Sequence, residues 1–406
     1  MKASHSDLAA TPLLTDSARA VLRLISHSGP MTRPQLGTAL AFSKPTMSAA
    51  VGELEEIGLV ESNGIAQGAL GRRALTYGLG PRAGFTIGVD CGTTQIHAMA
   101  ATLDGRCFAE LQETIAESDG GKLDQQRFRT IETTVAALLK QLAGKRKPLR
   151  AIAIAMPNII SQSLDRLPAR SDFLKALQRL KEAYKVPILL ENNVNCAALA
   201  EYHEGAAKDH TFAVYMQIGV KIGVGIVIEG RLFRGFRGGA GEIGHLPFPW
   251  SEKEQPRFQA AETYLGSAQL LQRCRSRWPA TDGKPPRSTE ELFARAATSR
   301  HARRCIERHA ADIGNLAATC VSLLDPEIIV LGGGVGQNAV LLDGVRKVVA
   351  ELCWPVEIVN GELPNRATVL GTVRLATDFA LAHLLGADSG AAFLYPDAPA
   401  ADRIRA

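Results

Sequence analysis

The chain has 406 residues, 46% of them hydrophobic and 21% charged, with a formal net charge of +5. That length carries two or three domains with sizeable cores, and the composition excludes a fibrous or disordered chain. The mild basic excess permits nucleic-acid contact without demanding it and suits a slightly basic enzyme equally well. No apolar run approaches the ~18 residues of a membrane span.

In chain order, Val21, Leu22, Leu24 and Ile25 give residues 15–27 one apolar face, predicting a helix that Ser28-Gly29-Pro30 breaks. A short helix follows from about Thr32 to Leu40, with Leu36 and Leu40 on one side. After a tight connection through Ala41 and Phe42, Ser43 is a good N-cap for a third helix with Pro45 near its start. Met47, Val51, Leu54 and Ile57 form its apolar stripe, and Gly58 ends it. Residues 59–78 predict two strands around the Gly-rich tip SNGIAQGALGRR.

This order predicts a winged helix-turn-helix over residues 1–80, whose third helix presents Lys44, Thr46, Met47 and Ser48 to base edges. Arg72 and Arg73 in the wing supply charge for the DNA backbone, and Arg33, at the start of the second helix, is a further DNA-binding candidate. A small three-helix interaction or dimerisation module is the alternative. Local charge does not separate the two, because Lys2, Arg19, Arg23, Arg33, Lys44, Arg72 and Arg73 are nearly balanced by Asp7, Asp16, Glu53, Glu55, Glu56 and Glu61.

Beyond Gly80-Pro81-Arg82 the pattern changes to buried strands. Phe85–Asp90 leads into Cys91-Gly92-Thr93-Thr94 and a second strand, His97–Leu103, so Asp90, Gly92, Thr93 and Thr94 sit at a hairpin head able to cradle phosphate. Strands at Ala151–Met156 and Ile188–Leu190 precede ENNVNCAALAE, which begins a helix. A further hairpin, Val214–Ile218 with Gly223–Ile228, precedes GAGEIGH, and a strand at Glu327–Leu331 enters Gly332-Gly333-Gly334.

With these motifs in place the chain resembles the ROK family (repressors, open reading frames, kinases), GAGEIGH being the most specific element and IIVLGGGV the next. The resemblance implies an α/β protein in which the winged helix precedes a ribonuclease-H-like, actin-like ATPase fold of two lobes flanking a cleft. The first lobe is expected at 84–190 and the second at 191–385, with a C-terminal helix near 370–385 returning to the first. Residues 386–406 are expected to be a tail that Phe393, Leu394 and Tyr395 could anchor.

The resemblance also implies which residues carry chemistry. Kinases of the family have an aspartate base where Asn193 stands, and an amide cannot accept a proton at neutral pH. Their Gly-Thr-Gly-rich second phosphate turn is here Gly219-Val220-Lys221-Ile222-Gly223-Val224-Gly225, without the hydroxyl and with added bulk at Lys221 and Ile222. Gly332, Gly333 and Gly334 match the adenosine loop, though packing of a strand against a helix explains them as well. Losing a base alone costs a factor of roughly 100 to 10,000, so binding without catalysis is expected.

Carried over by position, the sugar-contacting residues are Asn192, Asn193, Glu242, His245 and Glu262. A buried structural ion pair is the plainer reading of Glu242 and His245. Relatives place a sugar-touching Asn after the proline of a loop that reads Arg166-Leu167-Pro168-Ala169-Arg170 here, which leaves a modified, charged or phosphorylated sugar, or none, as the ligand.

Relatives follow the ExGH motif with CxCGxxGC, whose thiolates and His hold zinc. The corresponding stretch, Phe248 to Gln259, has no cysteine, so no metal is expected there, and packing of Trp250 and Phe258 is expected to hold the loop instead. The seven cysteines, Cys91, Cys107, Cys196, Cys274, Cys305, Cys320 and Cys353, form no CxC or CxxC pair. They are expected to be reduced thiols of a cytoplasmic protein, most of them small core residues.

The sum predicts a DNA-binding regulator of carbohydrate-related genes, a repressor on a double-stranded operator, acting as a homodimer or homotetramer with a sugar-like effector, no cofactor and no membrane. An ATP-dependent sugar kinase fused to a DNA-binding head is the rival, and a repressor that takes no ligand is a third reading.

Overall fold

A computed structural model describes residues 13–67, 73–92, 94–115, 123–142, 147–157, 172–249, 253–387 and 393–395. The chain divides into two compact units, one formed by 1–192 with 372–406 and the other by 193–371. No helix among the described residues is long and apolar enough to cross a membrane.

The head opens the first unit. Helices α1 (Asp16–Ser28), α2 (Arg33–Leu40) and α3 (Lys44–Glu56) alternate with strands β1 (Met31–Thr32), β2 (Val60–Gln67) and β3 (Arg73–Leu79), paired in the order β1-β3-β2. Each helix starts at a hydroxyl cap: Thr15, Thr32 and Ser43 accept from the backbone N–H groups of Ala18, Gln35 and Thr46. Thr15 does more, since its hydroxyl donates to Glu53 Oε2 at 2.6 Å and its N–H to Glu53 Oε1 at 2.9 Å, tying the start of α1 to α3. Ala41 takes a left-handed conformation between α2 and α3, which makes the turn as short as the sequence suggested. Gly58 has φ +72° just past α3, a backbone state that favours glycine.

The first lobe continues the same unit with β4 (Phe85–Cys91), β5 (Gln95–Thr102), β6 (Cys107–Thr114), α4 (Leu123–Gln141), β7 (Leu149–Met156), α5 (Asp172–Tyr184) and β8 (Ile188–Asn192). The second unit carries α6 (Asn193–Glu204), β9 (Phe212–Ile218), β10 (Ile222–Ile228), β11 (Arg231–Leu232), α7 (Ala260–Leu265), α8 (Ser267–Arg275), α9 (Arg300–Leu324), β12 (Ile328–Gly332), α10 (Ala339–Leu352) and β13 (Glu357–Asn360). Helix α11 (Ala367–Leu384) starts in the second unit and ends in the first, and β14 (Phe393–Tyr395) follows it.

The two sheets repeat one topology. One runs β6-β5-β4-β7-β8 and the other β11-β10-β9-β12-β13, each with an antiparallel meander on one side of its first strand and parallel strands on the other. This is the duplicated α/β arrangement the ROK resemblance implied. The central strands β4, β7 and β12 are almost continuously buried, as expected of strands covered on both faces. Within 386–406, Phe393–Tyr395 pair antiparallel with β8 and close that sheet edge.

The head shares a core with the lobe that follows it. Leu22, Ile25, Leu54 and Tyr77 of the head pack in one cluster with Leu103 and with Leu381, Leu384 and Leu385 at the end of α11. Arg150 of β7 donates to the carbonyls of Ala83, at 3.0 Å, and Arg82, which pins the connecting segment. The core of the head is therefore continuous with that of the lobe, and Arg150 ties down the junction at 81–84.

Candidate functional site

The head offers one face. Lys44, Thr46 and Ser48 are exposed on the first turns of α3, while the intervening Met47 is 2% exposed and sits in the head's core. Met47 thus cannot reach a base, because the apolar stripe that docks α3 on α1 has claimed its side chain. Arg33 is also engaged: its guanidinium donates to Glu55 Oε2 at 3.1 Å and lies 4.8 Å from the Tyr77 ring centroid. Arg73 is exposed at the start of β3, the returning wing strand, while Arg72 lies outside the described residues. Of the predicted set, Lys44, Thr46, Ser48 and Arg73 remain as exposed polar groups.

In the first lobe, Asp90 lies near the end of β4 opposite His97 of β5, and Gly92 approaches the Gln95 carbonyl too closely for a side chain. Burial raises the Asp90 pKa to about 7. A carboxyl that holds its proton toward neutrality is a weaker partner for a metal–phosphate group than an ionised one. Thr93 lies outside the described residues, and Thr94 is exposed.

Of the sugar-type residues, Asn193, Glu242, His245 and Glu262 belong to the second unit. Asn193 is the first residue of α6, half-exposed, directly after Asn192 ends β8. Glu242 has its pKa raised, first by burial, then lowered by His245, raised by Glu262 and lowered by Lys221, so these four side chains form one electrostatic group. Glu262, on α7, lies against Gly244, where a β-carbon would stand 2.9 Å from the Glu262 Cβ. His245 is exposed; its Nε2 is 3.4 Å from the Gln259 amide nitrogen, and the Phe258 ring meets it edge-on at 5.0 Å. Phe258 is 79% exposed, so it does not pack into the lobe as expected; it stands over His245 instead. Trp250 and the loop Arg166–Arg170 lie outside the described residues.

Glycines hold this group in place. Gly241, with φ +84°, presses on the Val224 carbonyl, and its own carbonyl accepts from the Val224 N–H at 2.9 Å. Gly223 and Gly225 of β10 let α6 settle on the strand, since a β-carbon at Gly225 would be 2.8 Å from the Val194 carbonyl oxygen. The sequence assigned Gly223 and Gly225 to a phosphate turn, but the structure uses them for helix packing. Ile222 belongs to β10 and is buried, so it adds no bulk to the turn. The turn itself is Gly219-Val220-Lys221, with Val220 68% exposed. Its Gly219 N–H donates to the Lys221 carbonyl and its Gly219 carbonyl accepts from the Ser267 N–H at 2.8 Å, so these backbone groups already have partners.

The triple glycine divides its work. Gly332 lies beneath Tyr215, and Gly333, at φ +80°, crowds the Ile218 carbonyl while its backbone bonds the Tyr215 hydroxyl. Gly334 alone faces open space and is exposed. Strand-to-helix packing accounts for the first two.

Glu201 escaped the sequence reading. It is 1% exposed at the end of α6, and its carboxylate accepts backbone N–H bonds from Ala206, Glu362 and Leu363 at 2.9–3.1 Å. The last glutamate of ENNVNCAALAE thus fixes the loop that precedes α11. Only the register of a folded helix shows that this glutamate points inward.

Residues 86–378 match the ROK family and residues 14–66 match the MarR family. The xylose repressor of Bacillus subtilis (strain 168) is 28% identical over 233 residues, 56% of this chain and 59% of the relative. The DNA-binding transcriptional dual regulator NagC of Escherichia coli (strain K12) is 24% identical over 375 residues, 87% of this chain and 90% of the relative. A solved ROK family transcriptional regulator, a homolog of the E. coli MLC protein, is similar with TM-score 0.71 and 21% identity, over 91% of this chain and 96% of that one. A ROK family glucokinase from Streptomyces griseus, in complex with glucose and AMPPNP, has TM-score 0.58 and 23% identity, over 72% of this chain and 99% of that one. These two structures share the fold. With a ROK match over both lobes and a MarR match over the three helices of the head, the chain belongs to the ROK family and carries a MarR-type winged helix at its N-terminal end.

Proposed function

We propose that this protein is a DNA-binding transcriptional repressor whose second unit binds a sugar-like effector without phosphorylating it. The observation that carries this reading is the first turn of α3, where Lys44, Thr46 and Ser48 are exposed on a helix anchored from behind by Met47, Ala50, Val51 and Leu54. A helix held this way enters a major groove with its N-terminal side chains on base edges. Paired heads of a dimer, or of a dimer of dimers, would take two half-sites.

Glu242, His245 and Glu262 form a group of carboxylates and imidazole, and with the Asn193 amide at the start of α6 they would offer partners for hydroxyls, which suits a polyhydroxylated ligand. The named relatives, a xylose repressor and NagC, make pentoses and N-acetylated amino sugars the first probes. The amide at Asn193 and the internally bonded β9–β10 turn both disfavour phosphoryl transfer.

Helix α11 offers the route between effector and head. Its first turns touch α6, the helix that Asn193 begins, and its last turns sit in the head's core. Effector binding regulates only if it favours one setting of that helix over another.

The experiment is genome-wide mapping of DNA bound by the full-length protein, followed by titration of recovered fragments with and without xylose and N-acetylglucosamine. Discrete, partly palindromic sites and an affinity that changes with one sugar are expected. Binding spread evenly over DNA, with no preferred site, would overturn the reading.

A further inference from the structure

We propose that Cys274, His301 and Cys305, joined by His309, form a zinc site between helices α8 and α9. The site lies on elements other than the ExGH loop and shares no residue with the sugar-type group.

The three side chains converge from distant parts of the sequence. Cys274 is the penultimate residue of α8, and His301 and Cys305 are one turn apart on α9. Their ligand atoms all lie within 4.8 Å of one another. The Cys305 Sγ is 3.6 Å from His301 Nε2, and the two thiols are hydrogen-bonded to each other. Zinc bonds of ~2.3 Å to sulfur and ~2.0–2.1 Å to nitrogen, opened to a tetrahedral angle, place S and N roughly 3.6 Å apart. The Cys305–His301 edge therefore already has the length such an ion requires.

A second, independent observation comes from the same stripe of α9. His309 continues the stripe one turn past Cys305 and is fully buried, yet neither ring nitrogen has a hydrogen-bond partner among the described residues. Buried polar atoms without partners are rare and call for a reason. A rotamer change that brings one His309 nitrogen to the cluster completes a Cys2His2 set, the donor combination of tetrahedral structural zinc.

Access and charge are consistent with this. His301 and Cys305 are half-exposed, whereas Cys274 is buried, so the ion would enter from the α9 side and seat against α8. His301 Nε2 also lies 2.9 Å from the Cys274 carbonyl oxygen, a bond that zinc binding would exchange for the metal. Two thiolates neutralise a divalent cation, so Arg273 and Arg277 beside Cys305 would face a site without net charge. Binding releases the two thiol protons to solvent, and no redox partner is needed.

The test uses the full-length protein, stripped with a chelator under reducing conditions and reloaded. Zinc is titrated against a chromophoric chelator, stoichiometry is measured by elemental analysis, and Co2+ is used as a spectroscopic stand-in. About one zinc per chain is expected, with a cobalt spectrum showing sulfur-to-metal charge transfer and intense tetrahedral bands. Cys305→Ser should weaken zinc by more than the ~10–100-fold typical of changes to outer-shell partners, and Cys274→Ser likewise. His309→Ala should shift the cobalt bands as an imidazole is lost. Circular dichroism establishes that each variant is folded, and the wild-type cobalt spectrum stands without any variant. No stoichiometric zinc, unchanged binding in the Cys274→Ser/Cys305→Ser double variant, or a cobalt spectrum without thiolate bands would each overturn the proposal.

Discussion

A β-carbon at Gly371 would overlap the carbonyl oxygen of Cys196 and lie 3.0 Å from its Cα, so α11 and α6 meet backbone to backbone. Only glycine allows that approach. The meeting point joins the helix that starts at Asn193 to the helix whose far end, Leu381 and Leu384, is buried in the head's core.

Gly371→Ala is therefore expected to destabilise the protein by about 1–3 kcal/mol, the cost of overpacking where the opposing atom is backbone and cannot rotate away. Thermal unfolding measures it. An unchanged midpoint would mean that the two helices do not touch in solution.

At the other end of α11, Leu384→Ala should cost about 2–4 kcal/mol through the cavity it leaves. Since the core of the head is continuous with these leucines, operator affinity should fall together with stability. A variant that melts early yet binds DNA with full affinity at low temperature would argue for an independent head.

Lys44→Ala and Arg73→Ala should each weaken operator binding, and each should reduce the salt slope by about 1 if its cation neutralises one phosphate. Met47→Ala should instead lower stability and leave the salt slope unchanged, because its side chain is buried. Filter binding at several salt concentrations separates the two outcomes.

Asn193→Asp restores a carboxylate where kinases of the family place their base. It should nonetheless leave ADP release at background with hexoses, pentoses and amino sugars, because the β9–β10 turn keeps Val220 outward and its Gly219 groups bonded internally. Turnover at ordinary kinase rates, ~1–100 per second, would show that the amide alone blocks catalysis.

Asp90 gives a pH signature. Its folded pKa of about 7 lies above the ordinary value of 3.8, so between these the folded protein binds more protons than the unfolded chain. Stability from this group is complete below about pH 4 and is lost as pH rises through about 7. Asp90→Asn should raise stability by about 1–2 kcal/mol at pH 8, a cautious share of the shift that burial imposes, with the gain vanishing near pH 4. Melting curves across that range decide it.

Local chemistry was enough for the sequence to determine the helix cap at Ser43, the stops at Gly29 and Gly58, the buried strands and the substitution at Asn193. Periodicity and capping act over a few residues, so a linear reading captures them. The tertiary structure alone decided which of several local meanings each residue has. Met47 belongs to both the apolar stripe and the recognition turn, and packing on α1 gives it to the core. Gly223 and Gly225 could have served a phosphate or a helix, and the approach of Val194 and Ala198 settles it for the helix. Cys274, His301 and Cys305 have no motif spacing at all, since they meet only when α8 packs on α9. Long-range packing creates such neighbours, and a one-dimensional sequence does not contain the distances.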